Sequence, residues 1–367
     1  MTRPARFDPQ TFAAAPVAAV LHLGLPEAID AVAATAPDSH RFLRRQWYAA
    51  ALEAYGGTAR TIVASVDGVP ALALPLVPAG PRAAQVASVP GCYWPFRSFP
   101  TSPMLSDAAL GAALAVLGRT VRALRIGPVY DGDPGAGALV AAALARGWGV
   151  VSRPVATSFL LDMAALRGEG QWPRGSTLRK NRFHEKHLAA HGALDWRFVT
   201  PDGWAQAFDM MAEVEKRSWL AERTDGRDAK FTRWGHGAFF RAAARDPAVA
   251  GMFHAALLTV DGVPAAFSFD LDAGDLKYAI ANSYDPAYAK HSPGKLLYYR
   301  NLVEALDRGV ARVDWGRATA GTSASSAPRK GRRSATGCCC GPAFRRGWRR
   351  WCGGCGSRAC SGWVEAS

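Results

Sequence analysis

The chain has 367 residues, 49% apolar and 20% charged, which suffices for one large domain or two ordinary ones and excludes disorder by composition. No run of about 18 uninterrupted apolar residues exists, so a membrane span is not expected. The net charge of +14 is uneven: residues 318–367 alone supply +8, so the body is only mildly basic and bulk charge does not establish an RNA or DNA partner.

Residues 12–25 are apolar behind Arg3 and Arg6, as in a leader, but Asp8, Pro16 and His22 interrupt the pattern. Residues 25–35 then read as an ordinary helix, and a cytoplasmic chain is expected. A helix is predicted over 39–55, followed by strands on either side of Asp67-Gly68. Residues 86–100 are rich in Pro and aromatics, with Cys92, Tyr93, Trp94 and Phe96. A helix over 107–122, a strand over 124–129, a helix over 138–146 and a strand over 149–153 complete the first half. The second half opens with a strand at 159–161 and a basic helix over 177–190 that stops at Gly192. Leu194, Trp196 and Phe198 alternate as a strand. Thr200-Pro201 starts a helix whose apolar stripe is Trp204, Phe208, Met211 and Val214. Strands over 252–259, 263–271 and 276–283 form a meander. A helix over 294–306 and a strand over 310–315 follow.

Val66-Asp67-Gly68-Val69-Pro70-Ala71 recurs as Val260-Asp261-Gly262-Val263-Pro264-Ala265. Both copies read as strand, Asp-Gly turn, strand, and both follow a helix bearing a Trp, Trp47 or Trp219. The expected fold is α/β (α+β), with a duplicated mixed sheet flanked by helices. The boundaries read as 1–156, 157–317 and a tail, 318–367.

The tail departs from this pattern. It holds six of the seven Cys, nine Gly and no Leu, Ile or Met, too little to build a core. Cys352 and Cys355 form a lone C-x-x-C pair without the second pair that a zinc site needs. A basic nucleic-acid-binding arm is a second reading. The composition best fits out-of-frame translation of GC-rich DNA beginning near Arg317, and a non-globular tail without functional weight is expected.

Six segments of the second half carry a family resemblance. They are Ser176-x-x-Arg179-Lys180-x-Arg182, Glu215-Lys216-Arg217-Ser218-Trp219, the 260–265 hairpin, Tyr284-Asp285-x-x-Tyr288, Ser292-Pro293-Gly294-x-Leu296-Leu297 and Asp314-Trp315-Gly316-Arg317. Over residues 158–317 the chain resembles the acetyltransferase domain of CelD-like and Fem-type proteins in the GNAT superfamily, and the first half resembles their degenerate leading copy. The resemblance implies tandem GNAT-like domains and transfer of an acyl group from acetyl-CoA or another acyl-CoA to an amine, in polysaccharide or cell-envelope biosynthesis. Where the family continues with a Tyr-Lys pair, this chain has Ala318-Thr319-Ala320-Gly321-Thr322.

Acyl transfer to an amine needs an anion site for the carrier, a polarised carbonyl and a route for the amine proton. Lys290, Ser292, Gly294 and Lys295 follow a strand and open a helix, where bare amides and the dipole favour phosphate. The plainer reading of Ser-Pro-Gly is a helix start. Arg179, Arg182 and Lys186 fall on one helix stripe and Lys180, His184 and His187 on the next. This face suits phosphates of a carrier, of a nucleotide-linked sugar or of a tRNA end, or is a solvated surface. Tyr284 is the candidate proton donor to a leaving thiolate. Asp285 or Glu215 would accept the amine proton. Trp219 is read as a groove wall, and no metal is expected because the His184/His187 spacing is wrong for zinc. The expected acceptor is a small-molecule or glycan-linked amine. Two alternatives stand beside this: a Fem-type transferase using aminoacyl-tRNA on a cell-wall precursor, and a catalytically inactive binding module of the same fold.

Overall fold

The structure is a computed structural model that describes residues 15–92, 94–170, 172, 174–223, 229–232, 236–317 and 330–340. The first half runs β1 (Val17–Leu23), α1 (Ala28–Thr35), α2 (Arg45–Tyr55), β2 (Arg60–Val66), β3 (Val69–Pro78), β4 (Val86–Ser88), α3 (Asp107–Thr120), β5 (Ala123–Tyr130) and α4 (Pro134–Ala145). A long strand, β6 (Gly149–Asp162), carries the chain across. The second half runs α5 (Met163–Gly168), α6 (Gly175–Leu188), β7 (Leu194–Phe198), α7 (Trp204–Arg217), α8 (Trp219–Arg223), α9 (Gly237–Ala243), α10 (Pro247–Met252), β8 (Phe253–Val260), β9 (Val263–Ala273), β10 (Leu276–Tyr284), α11 (Pro293–Asp307) and β11 (Arg312–Arg317). A last strand, β12 (Lys330–Cys340), returns between the halves.

The twelve strands lie in the order β1-β2-β3-β4-β5-β12-β6-β11-β10-β9-β8-β7, a near-palindrome about the β12–β6 pair. The duplication is detailed. Asp67 and Asp261 adopt φ of 51° and 49°, and Gly68 and Gly262 φ of 76° and 77°, the left-handed pair that a tight hairpin turn demands. Both hairpins carry an irregularity one step before the turn, at Ala64/Ser65 and Leu258/Thr259. An outer strand starts opposite each: Val17 pairs with Val66 and Leu194 with Val260. Each half then closes with a parallel pair joined by a helix, β4 and β5 around α3, β10 and β11 around α11.

Alternation along β9 sorts two environments. Phe267, Phe269 and Leu271 enter an aromatic core with Phe208, Phe231, Phe240 and Phe253 that is continuous with the first half through Trp47, Tyr278 and Phe96. Trp47 meets Phe239 of α9 edge-on at 4.7 Å. Each such fully buried ring contributes about 2–3 kcal/mol. Ser268, Asp270 and Asp272 take the other face, where Asn301 of α11 donates to Ser268 and Arg308 to Asp272. Lys277 on β10 is fully buried between Asp270 (3.3 Å) and Asp272 (2.6 Å).

Three observations bear on the sequence reading. Residues 17–23, within the apolar stretch over 12–25, form a strand because β2 offers them an edge to pair with. The boundary between residues 156 and 157 falls inside β6, which runs unbroken to Asp162. The composition predicts a non-globular tail over 318–367, yet residues 330–340 form β12, paired with β5 on one side and β6 on the other. Backbone pairing between two open strand edges is indifferent to side-chain type, so composition could not reveal it. Cys352, Cys355, Cys360 and the rest of the tail lie outside the described residues.

Candidate functional site

The organising feature is a wedge between β10 and β11. These parallel strands pair only from Leu276↔Arg312 to Tyr278↔Asp314. Beyond that point β10 breaks register with β9 at Ala279/Ala281, while β11 breaks register with β6 after Asp314. Two strands that bulge where they cease to pair open a slot in the sheet. Asp314 marks the apex, where pairing ends: the buried carboxylate accepts from the Gly316 amide at 2.9 Å and from the Ser158 hydroxyl at 3.4 Å.

The helix after β10 begins beside this slot. Ser292 sits in the left-handed region (φ 52°) and turns the chain into α11, and its carbonyl accepts from the Lys295 and Leu296 amides. Pro293 opens the helix, a position where no amide is needed. Gly294 is buried because the helix crosses the end of β10: a Cβ there would lie 2.8 Å from Asn282 Oδ1 and 3.0 Å from a Tyr284 ring carbon. The close approach at Gly294 is thus to β10, and Tyr284 lies against the first turn of α11. Lys290 and Lys295 are exposed on either side of the turn. The arrangement joins a helix start, two cations and the open slot, a set suited to an anion-bearing carrier.

Arg217 ties three of the motif segments together. Its Nε lies 2.9 Å from Asp285 Oδ2, and its Nη2 donates to the Pro264 carbonyl at 2.5 Å. The Asp285 amide in turn donates to the Ala265 carbonyl, while Oδ1 accepts from the Ala287 amide. Asp285 is therefore half-buried and held by Arg217 at the end of β10.

Glu215 is 1% exposed and committed to backbone. It accepts from the amides of Lys230, Phe231 and Thr232. Burial raises its pKa, partly offset by those three amides. The structure brings Tyr284, Asp285, Ser292 and Gly294 together and gives Glu215 the work of fastening residues 230–232.

Arg179, Lys180, Arg182 and Lys186 are all exposed on α6. The opposite side of that helix docks through the fully buried Leu188. A hollow of about 600 Å³ separates α6 from α11, lined by Arg182, Glu185, Trp196, Phe198, Arg300 and Arg308 among others. Arg300 spans it, pairing with Glu185 at 2.5 Å and lying 4.4 Å from the Trp196 ring centre. Trp219 is 48% exposed at the start of α8.

Two contributors were not singled out from sequence. Arg217 lay inside a motif segment but carried no role of its own there. Trp94 belonged to an aromatic-rich stretch with no periodicity to assign it. Its indole N–H donates to the Ala279 carbonyl at 3.1 Å, and a Cβ on Gly316 would lie 3.0 Å from its ring. Trp94 therefore bridges β10 and β11 at the apex of the slot, from the first half of the chain. Among the described residues no group of three or more His, Cys, Asp or Glu is placed to hold a metal, and no helix is long and apolar enough to cross a membrane.

The comparisons agree with this geometry. Residues 175–322 match the family model described as Acetyltransferase (GNAT) domain, so the second half of the chain carries a GNAT-type acetyltransferase domain. Comparison with curated proteins finds no match. Among solved structures, the chain is similar to FemX at 12% identity, with 84% of this chain and 94% of that chain covered and a TM-score of 0.56. It is similar to a conserved protein of unknown function from Bacteroides thetaiotaomicron VPI-5482 at 13% identity, covering 88% and 100%, TM-score 0.53. It is also similar to the C-terminal domain of a putative lysylphosphatidylglycerol synthetase from Agrobacterium fabrum at 13% identity, covering 87% and 92%, TM-score 0.51. These likenesses show the fold, shared with those structures over nearly the whole length of the chain.

Proposed function

We propose that the protein transfers an acyl group from acyl-CoA to an amine on a small-molecule or glycan-linked acceptor. The observation that carries this reading is the slot: β10 and β11 part after Tyr278 and Asp314, and the α11 turn with Lys290 and Lys295 stands at its open end. In this reading Lys290, Ser292, Gly294 and Lys295 hold the carrier's phosphates, and the acyl arm lies along the unpaired edge of β10. The amine attacks the thioester carbonyl carbon and the carbon–sulfur bond breaks. The amine proton passes to Asp285, directly or through water, and the Tyr284 phenol protonates the departing thiolate. Glu215 acts indirectly, by fixing residues 230–232 against α7. An acceptor in polysaccharide or envelope synthesis is consistent with the FemX-like fold.

The exposed cations of α6 favour a second reading, in which the acyl donor is an aminoacyl-tRNA. One assay separates the two. Thiol release from acetyl-CoA, dependent on added amine and indifferent to tRNA, is the result expected. Transfer only from charged tRNA would replace the first reading with the second. Tight glycan or nucleotide binding with neither reaction would identify an inactive module.

A further inference from the structure

We propose that α6 docks the protein on an anionic phospholipid surface, with its cations against the headgroups and the Phe183 ring at the acyl boundary. Docking of this kind is independent of which acyl carrier the protein uses.

Arg179, Arg182, Phe183 and Lys186 fall at i, i+3, i+4 and i+7 of α6, so they share one stripe of the helix. All four are exposed, and Phe183, at 60%, is the most exposed aromatic residue among those described. The other side of the helix faces the protein, with Leu188 buried and Asn181, His184 and Glu185 half-buried. Glu185 is the one acid of α6, and it turns inward to pair with Arg300 of α11. The outward stripe therefore holds three cations and no acid. None of the three makes an ion pair among the described residues.

Water solvates the three cations where they stand, but it does not favour a phenyl ring between them. The aromatic contacts of Phe183 are with His184 and His187 of its own helix, at 5.8 and 4.2 Å. No other element of the described fold covers it, to judge by its exposure. A helix face of this composition matches one kind of surface. Cations along it are drawn to lipid phosphates, and a ring among them leaves water at the headgroup–acyl boundary. A nucleic-acid backbone satisfies the cations alone and leaves the ring in water. Peripheral docking of this kind needs no membrane-crossing helix. The location is also informative: His191, just past α6, meets the ring of His291 at 2.9 Å, one residue before the turn at Ser292. A surface held by α6 therefore lies near the start of α11.

The test is cosedimentation of the full chain with vesicles of phosphatidylcholine alone, or with about one-third phosphatidylglycerol. The native chain is expected to bind the anionic vesicles at least about tenfold more tightly, with the difference shrinking as salt is raised. Arg179→Ser/Arg182→Ser/Lys186→Ser should weaken binding about 100-fold, roughly fivefold for each cation. Should that variant fail to fold, Arg179→Ser alone carries the same test at about fivefold. Phe183→Ser should weaken binding at least about threefold, whereas Phe183→Leu should retain it, because lipid accepts any apolar side chain. Residues 318–367 carry +8 of their own and stay in every variant. Binding that survives the loss of the α6 cations therefore belongs to the tail and overturns the proposal. Equal binding of both vesicles by the native chain overturns it too, as does a Phe183→Ser variant that binds like the native chain. Equal losses in Phe183→Leu and Phe183→Ser, with tighter binding to tRNA than to vesicles, would make a stacked nucleic acid the partner and remove the lipid surface.

Discussion

The guanidinium of Arg217 lies 2.9 Å from the carboxylate of Asp285, joining the C-terminal end of α7 to the end of β10. The same side chain reaches the Pro264 carbonyl in the second Asp-Gly hairpin. Three sequence segments that look independent along the chain are therefore one cross-linked unit beside the candidate site. Arg217→Ala should cost about 1–2 kcal/mol, the lower part of the range for hydrogen bonds to a charged group, because solvent screens the partly exposed guanidinium. It should also lower kcat more than it raises KM for the acyl donor, because Asp285 loses its restraint. Urea denaturation paired with steady-state kinetics measures both, and a variant with native kcat would show that Asp285 needs no such partner.

Glu215 is expected to matter for stability before chemistry. Glu215→Ala leaves three amides of residues 230–232 without their acceptor and should destabilise by about 2–4 kcal/mol. Glu215→Gln keeps an acceptor oxygen and should recover at least half of that loss. Tryptic cleavage after Lys230 provides a second readout, with faster cleavage predicted for the Ala variant alone.

The buried Asp270 predicts a pH dependence. Burial raises it from its ordinary 3.8 to about 6, against the pull of Lys277. The folded state then holds a proton that the unfolded chain has released. Its contribution to stability is fully present below pH 3.8 and is lost as pH rises through 6, up to about 3 kcal/mol. Asp270→Asn should remove this downward slope between pH 4 and 7. Denaturation midpoints across that window, native against variant, measure it, and parallel curves would place the slope elsewhere.

Tyr284 separates two roles by kinetics. A proton donor to the thiolate predicts that Tyr284→Phe lowers kcat about 100-fold with little change in acyl-donor affinity. A role only as a wall beneath Gly294 predicts near-native turnover. Direct titration of the acyl donor into the Phe variant reads the affinity independently.

Much of the architecture was legible because local chemistry dictated it. Asp67-Gly68 and Asp261-Gly262 need positive φ at both positions, and few residue pairs supply it, so the duplicated hairpins could be read directly. The stripe of Trp204, Phe208, Met211 and Val214 fixed α7 in the same way, and all four are buried. What was hidden depended on distant partners. Val17–Leu23 is apolar on both faces apart from His22 and shows no strand period until β2 is beside it. β12 exists through the edges of β5 and β6, and its Gly, Arg and Cys content gives no strand signal. The turn at Ser292 was visible as a helix start, but the reason for Gly294 was not, since Asn282 and Tyr284 meet it only after β10 and α11 cross. Trp94 acquires its place from a slot whose strands lie some 180 and 220 residues further along the chain.

Calorimetric titration of acetyl-CoA into the full chain, and into a Lys290→Ala/Lys295→Ala variant, bears most directly on the claim that the α11 turn and the β10–β11 slot hold an acyl carrier. The account predicts saturable binding to the native chain, weakened roughly tenfold or more in the variant and by added salt. No heat of binding at millimolar acetyl-CoA, or equal affinity with and without the two lysines, would contradict it.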